Sequence, residues 1–237
     1  MAKTTVHKAS TRGVANHGWL ESYHSFSFAG YYNPERKNFG ALRVLNDDTV
    51  SGGMGFGEHP HDNMEIISIP LEGRLQHKDS MGNTATIRSG EIQVMSAGTG
   101  VYHSEYNPDA AAPAKFLQIW LFPNQRNVQP RYDQQPIDRT KRNEFVQILS
   151  PDASDAGVWI HQQAWFNLAK FDAGFSAVYN FHKKGNGLYI FVLDGRIEAE
   201  DIALEKRDGM GIWETNALSI KATEQAEFIL MEVPMEF

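Results

Sequence analysis

The tetrapeptide LEGR at Leu71–Arg74 returns as LDGR at Leu193–Arg196, and each copy is followed by a second glycine turn, RSGEI at Arg88–Ile92 and RDGMG at Arg207–Gly211. The interval between the paired glycines is shorter in the second copy, as expected if one hairpin loop were trimmed. Around these turns lie short runs rich in branched and aromatic residues, among them ALRVL (41–45), EIISIPL (65–71), KFLQIWLF (115–122), LYIFVLDG (188–195) and EFILMEV (227–233). Such runs, separated by Gly, Asn and Asp signals and with little helical periodicity, read as antiparallel strands. The repeat therefore predicts an all-β protein of two similar domains in tandem. The polar stretch NQRNVQPRYDQQPIDRTKRNE (124–144) interrupts the strand pattern, which places the boundary between residues 1–130 and 131–237.

Composition narrows the chemistry. A formal charge of -7 and the lack of a long basic run argue against direct binding to nucleic acid, which requires clustered Lys and Arg. With no cysteine, disulfides, thiolate metal sites and a cysteine nucleophile are all excluded, so any metal must be held by nitrogen and oxygen. No window approaches the length of an apolar membrane span, and the N-terminal stretch has no signal-like apolar core, so the expected location is the cytoplasm. The sequence carries no G-x-S-x-G elbow, phosphate loop or dinucleotide fingerprint.

Two short stretches share one spacing. EHPHDNMEII contains His59 and His61, and VYHSEYN contains His103 and Glu105, each pair separated by one residue. In a strand, residues i and i+2 point to the same face, so two such strands brought together would converge three imidazoles and a carboxylate. That donor set suits Fe, Mn, Co, Ni, Cu or Zn and would leave adjacent coordination positions open. An H-x-H pair alone is compatible with two solvated imidazoles; the second pair raises the weight of the metal reading. Glu65 competes with Glu105, since it continues the parity of His59 and His61. Pro60 is expected to point outward at the start of its strand. His24, Phe26, Phe28 and Phe56 are candidates for an apolar mouth, with core packing as the alternative for each, and Phe116, Gln118, Trp120 and Phe122 share one strand face. His7, His17 and His77 have no paired ligand and read as solvated or hydrogen bonded.

The segments HGWLESYHSFSFAGYY, FGALRVLNDD, GFGEHPHDNMEII, LEGRLQHKDSMGN and MSAGTGVYHSEYNP resemble those of the pirin family, in particular its bacterial quercetinase-like branch. Ser96, where other cupins carry proline, and the longer interval from Gly98 to His103 fit that branch. The resemblance implies a bicupin, two tandem antiparallel β-barrel jelly rolls, with one metal, most often Fe(II), in the first. Carried over residue by residue, the ligands are His59, His61, His103 and Glu105, with Glu65 in a supporting role. The second domain is expected to be barren, because Phe181, Lys183 and Gly187 stand where His59, His61 and Glu65 do, and His161 and His182 do not restore the spacing. The implied activity is a quercetin 2,3-dioxygenase acting on flavonols with dioxygen and releasing carbon monoxide, with Glu105 as ligand and as the base that takes the substrate's hydroxyl proton. The family also contains redox-responsive iron proteins that act through a protein partner, which is the alternative role. A monomer without membrane or direct nucleic-acid contact is expected.

Overall fold

The computed structural model describes residues 2–237, and among them the secondary structure is strands apart from one short 3-10 turn, Ala9–Thr11. The strands form two seven-stranded and two four-stranded sheets. In the first half, the large sheet runs Arg131–Pro136, Glu91–Ser96, Glu65–Glu72, Ala114–Leu121, Leu42–Val50, Leu20–His24, Gly13–Asn16. The small sheet facing it runs Gly55–His61, Val101–Tyr106, Arg74–Asp79, Thr84–Arg88. The second half repeats both orders: Lys3–His7, Gly209–Trp213, Asn186–Asp194, Ala226–Pro234, Trp165–Phe171, Phe145–Ser150, Val158–Trp159, and then Ser176–Asn180, Ala217–Ala222, Arg196–Ala199, Ile202–Glu205. Pairing is antiparallel except between Phe145–Ser150 and Val158–Trp159. This is the tandem jelly-roll architecture of a bicupin.

LEGR and LDGR occupy the same place in each barrel, at the corner where the chain leaves the large sheet for the small one. Gly73 and Gly195 have φ of 72° and 75°, a left-handed backbone that favours glycine. A side chain at Gly195 would overlap the Gln225 carbonyl oxygen, so both conformation and space demand glycine there. The loop after the corner is shorter in the second barrel, where Arg196–Ala199 turns into Ile202–Glu205, than in the first, where Arg74–Asp79 turns into Thr84–Arg88.

The largest hydrophobic cluster lies between the barrels. Leu45, Ile67, Ile69 and Ile119 of the first large sheet pack with Phe166, Tyr189, Phe191 and Met231 of the second. Asp47, on the same face as Leu45, accepts ion pairs from Arg12 and from Arg207 of the second barrel. The interior of the second barrel is itself filled by Tyr179, Leu218, Ile220, Phe228 and Leu230 with their neighbours.

Two strands lie across the expected boundary at 130. Arg131–Pro136, in the stretch taken as a strand-free linker, pairs with Glu91–Ser96 and completes the first barrel's large sheet. Lys3–His7, at the other end of the chain, pairs with Gly209–Trp213 of the second. Alternating polarity marks neither as a strand, because each is partly exposed and draws its stability from a partner distant in sequence. Pro60 also differs from expectation: it is the penultimate residue of Gly55–His61, not its first, and is tolerated because that strand is the edge of its sheet.

Candidate metal centre

The alternation read from the sequence places His59 and His61 on one face of Gly55–His61, and antiparallel pairing sets His103 directly opposite His59. The three rings lie 4.5 Å (His59 to His103), 4.8 Å (His59 to His61) and 4.9 Å (His61 to His103) apart between centroids. Their ligand-capable nitrogens form one compact group. His59 Nδ1 lies 2.7 Å from the Gly57 carbonyl oxygen. A carbonyl only accepts, so Nδ1 carries the proton and Nε2 is the free donor atom. His61 Nε2 and both nitrogens of His103 are buried without a protein hydrogen bond. Burial, and then the neighbouring imidazoles, push the His61 pKa down to about 4 and that of His103 to about 2. Neutral, unpaired imidazoles in this arrangement are the form a divalent transition metal binds.

Glu105 enters differently. It belongs to a second compact group with His77 and His103, so His103 links the carboxylate to the three-histidine cluster. A bulge between His103 and Glu105 shifts the register at this point. Both carboxylate oxygens are hydrogen bonded: Gln118 Nε2 donates to Oε2 at 2.7 Å and Ser68 Oγ lies 2.9 Å from Oε1.

Glu65 lies outside both groups. Asn63, with φ of 46°, turns the chain between Gly55–His61 and Glu65–Glu72, which belong to different sheets, and the parity from His61 is not carried through. Glu65 alternates with Ile66 and Ser68, so it lies on the face of Ile67 and Ile69 toward the second barrel. There Ser96 Oγ donates to it at 2.7 Å, and burial pushes its pKa up to about 7 against the opposing pull of Ser96 and Arg131.

His77, which the sequence reading left as a solvated or hydrogen-bonded residue, is fully buried. Its Nε2 meets Asp79 Oδ2 at 2.9 Å, while Nδ1 has no protein partner. Burial alone would raise the Asp79 carboxyl, but hydrogen bonds from His77 and Asn83 outweigh it and hold it below its usual range. The signal was present in HKD, a third pair with a one-residue gap, in a strand adjacent to His103 and Glu105.

A cavity of about 460 Å³ opens onto the cluster, within the range of small-molecule sites. Four large aromatics stand in its walls, Trp19, Phe28, Phe56 and Trp120, with the Trp120 ring 4.9 Å from His61. His24 lines it as expected. Phe26 does not; it packs on Tyr189 between the barrels, because Leu20–His24 ends before it. Gln118 and Trp120 face the cavity, Phe116 is buried on the same side, and Phe122 lies beyond the strand, stacked on Phe237.

One feature of this barrel escaped the sequence reading. His24, Asn46, Gln118, Ser68, Gln93 and Gln134 are in register across six adjacent strands and therefore share one face, a polar row through the barrel interior. Its middle members hold Glu105. Among the described residues, every buried side-chain nitrogen or oxygen without a hydrogen-bond partner belongs to this first barrel. In the second barrel the fully buried Glu232 accepts from Tyr179, Asn186, the His182 ring and the backbone of His182 and Lys183. Both possible ligand groups lie in the first barrel, and aliphatic Leu218 and Ile220 fill the matching strand of the second.

A bicupin with a cluster of three histidines in one barrel and a packed interior in the other is the class these observations define. The chain belongs to the pirin family: residues 5–121 match Pirin and residues 147–233 match the Quercetinase C-terminal cupin domain. It is 41% identical over 229 residues to a quercetin 2,3-dioxygenase of Escherichia coli, covering 97% of this chain and 98% of that one. A pirin-like protein of Caulobacter vibrioides is 38% identical over 222 residues, covering 93% and 95% respectively. The crystal structure of the bacterial pirin YhhW from Escherichia coli in complex with nickel(II) superposes with a TM-score of 0.93 at 39% identity, covering 98% of this chain and 99% of that chain.

Proposed function

We propose that the protein is a metal-dependent dioxygenase that opens the central ring of flavonols such as quercetin, with a divalent metal held by His59, His61, His103 and Glu105. The observation that carries this reading is the cluster of three imidazoles, with His61 Nε2 and both His103 nitrogens left without a protein partner, beside a cavity that carries four large aromatic side chains. The name of the Escherichia coli relative and the nickel(II) bound in the YhhW structure support it. Iron is the metal we favour; Ni, Co, Mn, Cu and Zn suit the same donors, and geometry alone does not select among them.

When bound, the metal would supply Lewis acidity that makes a coordinated hydroxyl easier to deprotonate. The remaining steps belong to the protein. Gly57 fixes the tautomer of His59, and the strand pairing fixes the spacing of all three rings. Glu105 takes the flavonol hydroxyl proton, with Ser68 and Gln118 holding its carboxyl group in place. Trp19, Phe28, Phe56 and Trp120 sandwich the flat ring system and exclude water while the ring is exposed to dioxygen. The test is elemental analysis of the purified protein combined with oxygen uptake across a flavonol panel. Uptake that follows metal content is expected. Quercetin consumption that persists at full rate in metal-depleted protein would overturn the mechanism.

A further inference from the structure

The polar row has an end that neither the cluster nor Glu105 uses. His24 and Asn46 are in register on neighbouring strands, and Asp48 lies one alternation further along on the same face, in register with Ser22. All three line the cavity that His59 and His61 also line, but they stand on the large sheet, whereas the histidines stand on the small one. They are nearly inaccessible: Asn46 is 2% and Asp48 4% exposed.

Asn46 Oδ1 and His24 Nδ1 have no hydrogen-bond partner in the protein. A buried acceptor left unmatched is destabilising, and a ligand hydroxyl that donates to it would remove that penalty. Asp48 accepts a hydrogen bond from Ser22 Oγ, and its remaining hydrogen-bonding capacity is not taken up by another side chain. Burial, opposed by Ser22 and reinforced by Asp47 and Glu105, pushes its pKa up to about 7, which lets the group donate as well as accept. A phenolic hydroxyl, both donor and acceptor, matches such a set; a carboxylate or phosphate would meet the carboxyls of Asp48 and Glu105 and be repelled.

We propose that Asn46 and Asp48, with His24 beside them, form an anchor that holds a second hydroxyl of the substrate and so selects polyhydroxylated flavonols over those whose only hydroxyl is the one delivered to the histidines. The proposal rests on the flavonol reading above and adds to it the residues that discriminate among flavonols.

The experiment compares quercetin with 3-hydroxyflavone, which lacks every hydroxyl but the reacting one. Affinity is read from quenching of tryptophan fluorescence, and turnover from oxygen uptake, in the metal-loaded wild type, Asn46→Leu and Asp48→Ala. In each variant the preference for quercetin should fall about tenfold relative to wild type, carried in Kd and KM more than in kcat. Asp48→Ala removes the carboxyl without adding bulk, so a folding failure in the Asn46 variant leaves a second measurement. A preference unchanged in both variants, with oxygen uptake intact, overturns the anchor and leaves the dioxygenase standing. A preference that collapses in binding while no flavonol is consumed supports the anchor and removes the dioxygenase. Failure of the wild type to bind any flavonol removes both.

Discussion

His103 is the residue on which the centre turns, since it belongs to both compact ligand groups and neither of its nitrogens has a protein partner. Replacing it with alanine should abolish metal retention and turnover together, measured by elemental analysis and oxygen uptake on the same sample. The fold should survive, because the group removed makes no hydrogen bond. Glu105 offers a different test. Glu105→Gln keeps size and the neighbours Ser68 and Gln118 but removes the base, so turnover should fall about 100-fold or more with a smaller change in metal content. Loss of metal in step with activity would instead mark Glu105 as chiefly a ligand. At this scale the sequence was legible where two residues with one between them share a strand face, as with His59 and His61, and the matching gap at His103 and Glu105 marked the strand that pairs with theirs. It was illegible where the relation runs across strands that carry no such repeated spacing. His77 and Asp79 stood in plain view, but their burial depends on the neighbouring strands, and the polar row draws one residue from each of six.

At the scale of elements, the corner glycines connect sequence to architecture most directly. Gly195→Ala should destabilise the protein by about 1–3 kcal/mol, because the left-handed backbone and the Gln225 carbonyl oxygen oppose the added methyl together. Gly73→Ala should cost less, since the nearest atom to an added methyl there, the Pro113 carbonyl oxygen, is 3.1 Å away. Urea midpoints of the two variants provide the comparison, and equal losses would mean that space plays no part. The LEGR and LDGR echo thus reported a real equivalence of strand order, while the two barrel interiors differ, the second being filled with aliphatic and aromatic groups. The parity argument for Glu65 did not survive, because a three-residue turn at Asp62–Met64 carries the chain from one sheet to another. Alternation holds within a strand and carries no information across a break.

At the scale of the whole molecule, the two barrels share one apolar interface and should unfold together, and His7 gives that unfolding a pH dependence. His7 is buried on the strand Lys3–His7, its Nδ1 2.9 Å from the Tyr189 hydroxyl. Burial, and then Arg36, push its pKa down from 6.5 to about 4. A depressed histidine favours the folded state above its unfolded pKa, and that contribution is lost as pH falls from 6.5 toward 4, by about 1.4 kcal/mol per unit. His7→Phe should therefore flatten the decline of Tm between pH 6.5 and 4.5 relative to wild type; parallel declines would show that other groups govern it.

The same strand sets a schedule. Lys3–His7 is made about 200 residues ahead of Gly209–Trp213, its one strand partner among the described residues. At a synthesis rate of about 5–20 residues per second, this segment waits roughly 10 to 40 seconds on the ribosome as an unpaired edge. During that interval it is open to any passing strand, including its counterpart on a neighbouring nascent chain.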